Sequence, residues 1–172
     1  MNQNMGTGNV KKLLAQLAIP AIVAQVINLL YNVVDRIYIG HIPEVGASAL
    51  TGVGLFMPIL MLINAFAMLA GSGGAPRAAI AMGQKDNDTA EKIVGNCFSL
   101  LLGFAAVLTV VFYVSAPTLL TLFGASDVTL PYAVAYARIY ILGSVFVMIV
   151  MGMNPFITTQ GFAKMSMLTT VI

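Results

Sequence analysis

Long apolar runs alternate with short clusters of polar residues, glycine and proline along this chain. Each run is long enough to cross a bilayer as a helix, which takes about 20 residues. The first is read from Val10 to Ile39, closed by Gly40, Pro43 and Gly46. The second starts near Ala47 and continues to Met82. At 1.5 Å per residue it is about 50 Å long, more than an apolar slab of about 30 Å needs. Pro58 is therefore expected to kink it, and the run Gly71-Ser72-Gly73-Gly74-Ala75-Pro76 to loosen it. Asp88, with Glu91 three residues later, resembles a capping box opening a third helix. That helix is expected over 89–114, stopping near Pro117, with a short apolar piece from Leu119 to Phe123. The fourth is expected over 131–155, with Pro131 as a good first residue and Asn154-Pro155 as its end. A fifth apolar run opens near Met165.

Composition narrows the class. Of 172 residues, 59% are hydrophobic and 8% charged, against about 25% charged in an ordinary soluble domain. Mean hydropathy is +0.94. Six acids and eight bases cannot coat a soluble globule of this size. The expected class is an all-α integral membrane protein. The first run, from Leu13 to Val34, is too long for the apolar part of a signal peptide and is read as a retained span.

Charge placement sets an expected orientation. With the N-terminus inside, Lys11, Lys12, Arg77, Lys85, Lys92 and Lys164 fall on the cytoplasmic side, and only Arg36 and Arg138 fall outside. Tyr38, Tyr113, Tyr132, Tyr136 and Tyr140 map to the outer ends and are expected to form the aromatic belt.

Little here supports an enzyme. Cys97 and His41 are each the only residue of their kind, so cysteine metal sites and disulfides within the chain are excluded. His41 reads as a polar residue beside a helix end. No Ser/His/Asp set, cysteine nucleophile or HExxH motif is present. The glycines at 71–74 lack the Lys-Ser/Thr ending of a phosphate loop and read instead as close helix packing. No basic run points to nucleic acid.

The informative pattern lies in the first helix. Gln25, Asn28, Tyr31, Asn32 and Asp35 recur at offsets of three and four, so they share a face. A charge at mid-bilayer costs about 2.5–3.5 kcal/mol on insertion scales, so the stripe is expected to face helices or water. Asp35 either sits near the outer interface, where it snorkels or pairs with a basic residue, Arg138 at a similar depth being the better partner, or it binds a cation or proton. Pro20 in the same helix reads as an ordinary membrane proline or as a hinge. On the second helix Met57, Met61, Asn64 and Met68 share a face, suiting either plain packing or varied apolar ligands. Asn154 is a further candidate for a cavity.

The order of these motifs is familiar. Leu17-Ala18-Ile19-Pro20, then Tyr31-Asn32-Val33-Val34-Asp35-Arg36, then Ala47 to Gly54 with Pro58, Leu122-Phe123-Gly124-Ala125, Tyr136-Ala137-Arg138-Ile139 and Gln160-Gly161 follow in sequence. Together they resemble the multidrug and toxic compound extrusion (MATE) family, in particular its prokaryotic DinF-like branch. The resemblance implies residues 1–172 as an incomplete N-lobe of a twelve-helix transporter with two six-helix lobes. It implies export of cationic amphipathic compounds in exchange for protons or sodium ions, with no cofactor beyond that coupling ion. It assigns cation coupling to Asp35, helix bending to Pro20, and N-lobe cavity positions to Asn28 and Tyr31. The implied partners are small cationic drugs, membrane lipids and the remaining N-lobe and C-lobe, in the inner membrane of a prokaryote. Any acid or asparagine of a full fifth helix lies beyond this sequence, so the piece alone is expected to be inactive. Two alternatives stay open: a flippase for lipid-linked sugars, which would want a basic cavity, and a non-transporting membrane scaffold whose stripe only binds helices.

Overall fold

A computed structural model describes residues 10–171. It is all-helical: α1 (Val10–Gly40), α2 (Gly46–Gly83), α3 (Asn87–Leu122), α4 (Leu130–Thr159) and α5 (Ala163–Val171). Four of these, α1 to α4, are long and apolar enough to span a membrane. The side chains of Lys12 and Leu17, used above for orientation and resemblance, lie outside the described residues, as do positions 1–9 and 172.

α2, α3 and α4 pack mutually into one core, while α1 meets α2 only lightly and leans more on α5. Phe56, Ile59 and Ile63 of α2, Leu101 and Leu120 of α3, and Ile141 and Met148 of α4 are fully buried. Between lipid-bathed helices apolar burial gives no net drive, so close packing holds them together. Small residues provide it. A Cβ on Gly71 would lie 2.7 Å from the Gly152 carbonyl oxygen, and one on Gly74 would collide with Cys97 and Phe156. The glycine cluster is therefore a helix-packing surface, and α2 continues through it and through Pro58 and Pro76 without interruption. The expected loosening at 71–76 does not occur, because the facing helices hold these turns.

Four other boundaries differ from expectation by two residues or more. α3 does not stop near Pro117 but runs on to Leu122, absorbing the supposed separate piece. Ala116 and Leu120 are buried on one face, and Thr121 Oγ1 donates to the Pro117 carbonyl at 2.9 Å. In an apolar medium an unravelled backbone costs more than one lost bond at proline. α4 passes Asn154-Pro155 for the same reason and ends at Thr159, with Thr158 Oγ1 lying 3.2 Å from the Asn154 carbonyl. α5 begins at Ala163, two residues before Met165. Finally, the cap of α3 is Asp86 and not Asp88. Asp86 has φ −90° and ψ 78°, outside the helical region, and its carboxylate accepts from the Thr89 amide at 3.0 Å. Asp88 sits in the first turn, where its charge suits the helix dipole.

Candidate functional site

The chain turns from α1 to α2 at Gly40–Gly46 and from α3 to α4 at 123–129, so α1 and α3 end where α2 and α4 begin. Asp35 lies five residues before the end of α1, about 8 Å down the helix. It is half-buried, as is Asn28, while Ala24 between them and the helix start is fully buried. These positions fall on one side of α1, so Asn28 and Asp35 lie along its packed seam.

Tyr31 shares that seam but remains 71% exposed. This open face of α1 is turned toward the tyrosines of α4, and the space between the two helices is the candidate cleft. The Asp35 carboxylate, the Tyr31 hydroxyl and the Arg36 guanidinium all lie within electrostatic reach of the Tyr136 hydroxyl, and Tyr31 also reaches Tyr140. Tyr136 and Tyr140 stack on each other at 6.1 Å, and both meet the edge or face of buried Phe56 of α2, at 5.7 and 5.3 Å. These two tyrosines therefore leave the expected aromatic belt and line the cleft. Tyr38, Tyr113 and Tyr132 are exposed at helix ends or flanks.

Arg36 closes the open lip of this cleft, donating from Nη2 to the Met57 sulfur at 3.8 Å. Met57 and Asn64 are half-buried, and Met61 is exposed on the same face of α2. The methionine stripe thus borders the cleft through Met57 and descends from there. Gln25 and Asn32 are exposed on the flank of the seam. Asn32 turns back on its own helix, its side-chain nitrogen donating to the Asn28 carbonyl at 2.8 Å and to Asn28 Oδ1 at 3.0 Å. Gln25 borders a shallow apolar groove with Ile22, Val26 and Leu29. Pro20 lies half-buried inside an unbroken α1.

Asn154 stands apart. It lies eighteen residues beyond Tyr136 on α4, about 27 Å along the axis. Its side chain belongs to a hydrogen-bonded knot with α5, donating to the Ser166 carbonyl at 3.0 Å and to Thr169 Oγ1 at 3.2 Å. Ser166 Oγ donates back to Asn154 Oδ1, and Thr158 Oγ1 donates to Ser166 Oγ at 2.8 Å.

Among the described residues Asp35 makes no ion pair, and no three His, Cys, Asp or Glu side chains gather as a metal site. Arg138, the expected partner of Asp35, is instead over the ring of Tyr113 on α3. The lone histidine returns Nδ1 to the Ile37 carbonyl at 2.8 Å, beside the α1 end as read from the sequence. Tyr136, Tyr140 and Phe56 are the residues that sequence reasoning missed. The signal was available in the spacing of Ala133, Ala137, Ile141 and Ser144, which marks the inner face of α4 on which the tyrosines border.

The fold has known counterparts. Solved structures align over nearly the whole chain. The MATE multidrug transporter DinF-BH, solved in complex with R6G, is 34% identical, with TM-score 0.86, covering 99% of this chain and 38% of that one. A MATE protein in complex with MaD3S is 27% identical, with TM-score 0.86, covering 95% and 36%. A MOP superfamily transporter from Pyrococcus furiosus Vc1 (DSM3638), described by the reverse polarity of its binding pocket and a suggested different function, is 27% identical, with TM-score 0.85 and coverage of 95% and 36%. The chain thus spans little more than a third of the length of these proteins. No curated protein is significantly similar to it. The MatE family model matches residues 20–172, from Pro20 through all of the cleft-lining helices. The chain belongs to the MatE family of membrane transporters.

Proposed function

We propose that this chain forms part of the N-lobe of a cation-coupled antiporter that exports cationic amphipathic compounds. The carrying observation is the Asp35 carboxylate: half-buried on the inner seam of α1, within reach of Tyr136, and without an ion-pair partner among the described residues. An acid within a membrane span is costly to keep and by default marks an ion or substrate pathway. A proton or sodium ion would neutralise Asp35, whose charge is felt at Tyr136 across the cleft. Drug and coupling ion would then compete for one negative site, which is the simplest route to exchange. Their binding shifts the inward–outward equilibrium only through different affinity for the two states.

The aromatic floor of Phe56, Tyr136 and Tyr140, with Met57 and Met61 alongside, suits flat or flexible apolar cations. Pro20 within α1, a helix held lightly by its neighbours, is the proposed hinge. The amphipathic cation class is also supported by the R6G complex of the related DinF-BH protein.

The test is gradient-driven export in energised vesicles by the full-length transporter that contains this chain, with proton and sodium gradients imposed separately. Asp35→Asn is expected to abolish export under whichever gradient drives the native protein. Full export by Asp35→Asn would refute the coupling role.

A further inference from the structure

A second crevice opens at the opposite end of the bundle, where α2 ends, α3 begins and α4 ends. It encloses about 510 Å³. Phe156, Met82 and Val94 form its apolar wall, and Asn87, Glu91 and Gln160 its polar rim. The floor is solid, because Phe156 is buried against Ala75 and Ala78. No lysine or arginine lines the crevice, although Lys85, Lys92 and Lys164 are close in sequence. Glu91 is exposed and has no ion-pair partner among the described residues.

Three features define what fits. The crevice lies at the polar ends of membrane-spanning helices, so its occupant is amphipathic. The wall takes a short apolar segment. The charged group on the rim is an acid, flanked by the carboxamides of Asn87 and Gln160; the C-terminal ends of α2 and α4 bring the negative ends of two helix dipoles, and the first turn of α3 brings one positive end. We infer that this crevice binds the ammonium head of an amphiphile, with Glu91 as counter-ion and Phe156 beneath the adjoining methylenes. The ammonium belongs either to an ethanolamine lipid or to a free lipophilic cation. The site is separate from the Asp35 cleft and does not depend on Asp35 being the coupling group.

The test uses the full chain in phosphatidylglycerol vesicles, which carry no amine, with a photoreactive alkyl quaternary ammonium probe. Crosslinks are expected in the segments 87–95 and 156–160. Glu91→Gln should lower this labelling by about fivefold, the upper end of what a solvent-exposed ion pair supplies. Asp35→Asn should leave it unchanged. Gly95→Phe, at a position where an added Cβ meets nothing within 4 Å, should block it by filling the crevice. Competition by added phosphatidylethanolamine would identify the lipid as the natural source of the head group, and competition by tetraphenylphosphonium alone the free cation. Labelling absent from both segments, equal in Glu91→Gln, or equal with an uncharged analogue of the probe would overturn the inference.

Discussion

Arg138 of α4 lies over the ring of Tyr113 of α3, its guanidinium carbon 5.4 Å from the ring centroid. The contact ties α3 to α4 on the outside of the core and leaves Asp35 without the counter-ion that depth alone had suggested. A cation–π pair also lowers the cost of holding an arginine on a membrane helix, because the ring face replaces part of its hydration.

That pair should behave as a unit. Arg138→Gln and Tyr113→Leu should each lower the thermal midpoint, and the double variant should lose less than the sum, with a coupling of about 0.5–1 kcal/mol. Tyr113→Phe should keep most of the coupling, since the ring face remains. A coupling of zero in the double-mutant cycle would remove Tyr113 as the partner.

The α2–α4 contact should tolerate no added carbon at Gly71. A Cβ there would meet the Gly152 backbone oxygen at 2.7 Å, and backbone cannot rotate away. Gly71→Ala is expected to cost about 1–3 kcal/mol by overpacking. Gly103→Ala, where the added carbon meets nothing within 4 Å, should be neutral or slightly stabilising. Denaturation of both variants in the same detergent makes the comparison.

Asp86 should govern the start of α3, and its effect should follow pH. Its bonds to the Thr89 side chain and amide hold its carboxyl below the ordinary value of 3.8. A depressed folded-state value means that the stabilising contribution is complete above 3.8 and disappears as pH falls through the lower folded-state value. Hydrogen-exchange protection at Thr89 and Ala90 should therefore fall in acid in the native chain. In Asp86→Ala it should already be low at neutral pH, whereas Asp88→Ala should change it little.

The knot between α4 and α5 should be worth several weak bonds. Asn154→Leu removes the donor to Ser166 and Thr169 and the acceptor for Ser166 Oγ. Buried polar contacts between membrane helices average about 0.6 kcal/mol and reach about 1.7. The variant is expected to lose about 1–2 kcal/mol in total, seen as faster proteolysis between α4 and α5. Unchanged proteolysis would show that the knot does not hold α5.

Phe56 should be the most costly single truncation beside the cleft. It is 1% exposed and supports both Tyr136 and Tyr140. Phe56→Ala should cost about 2 kcal/mol, chiefly through the cavity it leaves, since the transfer part is small in lipid. Phe56→Leu should retain most stability but change the affinity of aromatic cations, measured by fluorescence titration.

The spans of this protein and the offset of its polar stripe are properties of the chain itself. Apolar length fixes a membrane helix because lipid offers no other partner for backbone amides, and helical periodicity puts Asn28, Tyr31 and Asp35 on one side. The pattern also misled in a consistent way. Proline and Asn-Pro read as breakers by rules set in water, but α3 and α4 run through Pro117 and Pro155 because unpaired backbone costs more in lipid. What faces the stripe was decided only in three dimensions. Whether Arg138 meets Asp35 or Tyr113, and whether Tyr136 sits in a belt or a cleft, depends on the rotation of α4 about its axis. That rotation is set by contacts such as Gly71 on Gly152 and Phe56 on two tyrosines, between residues far apart in the chain.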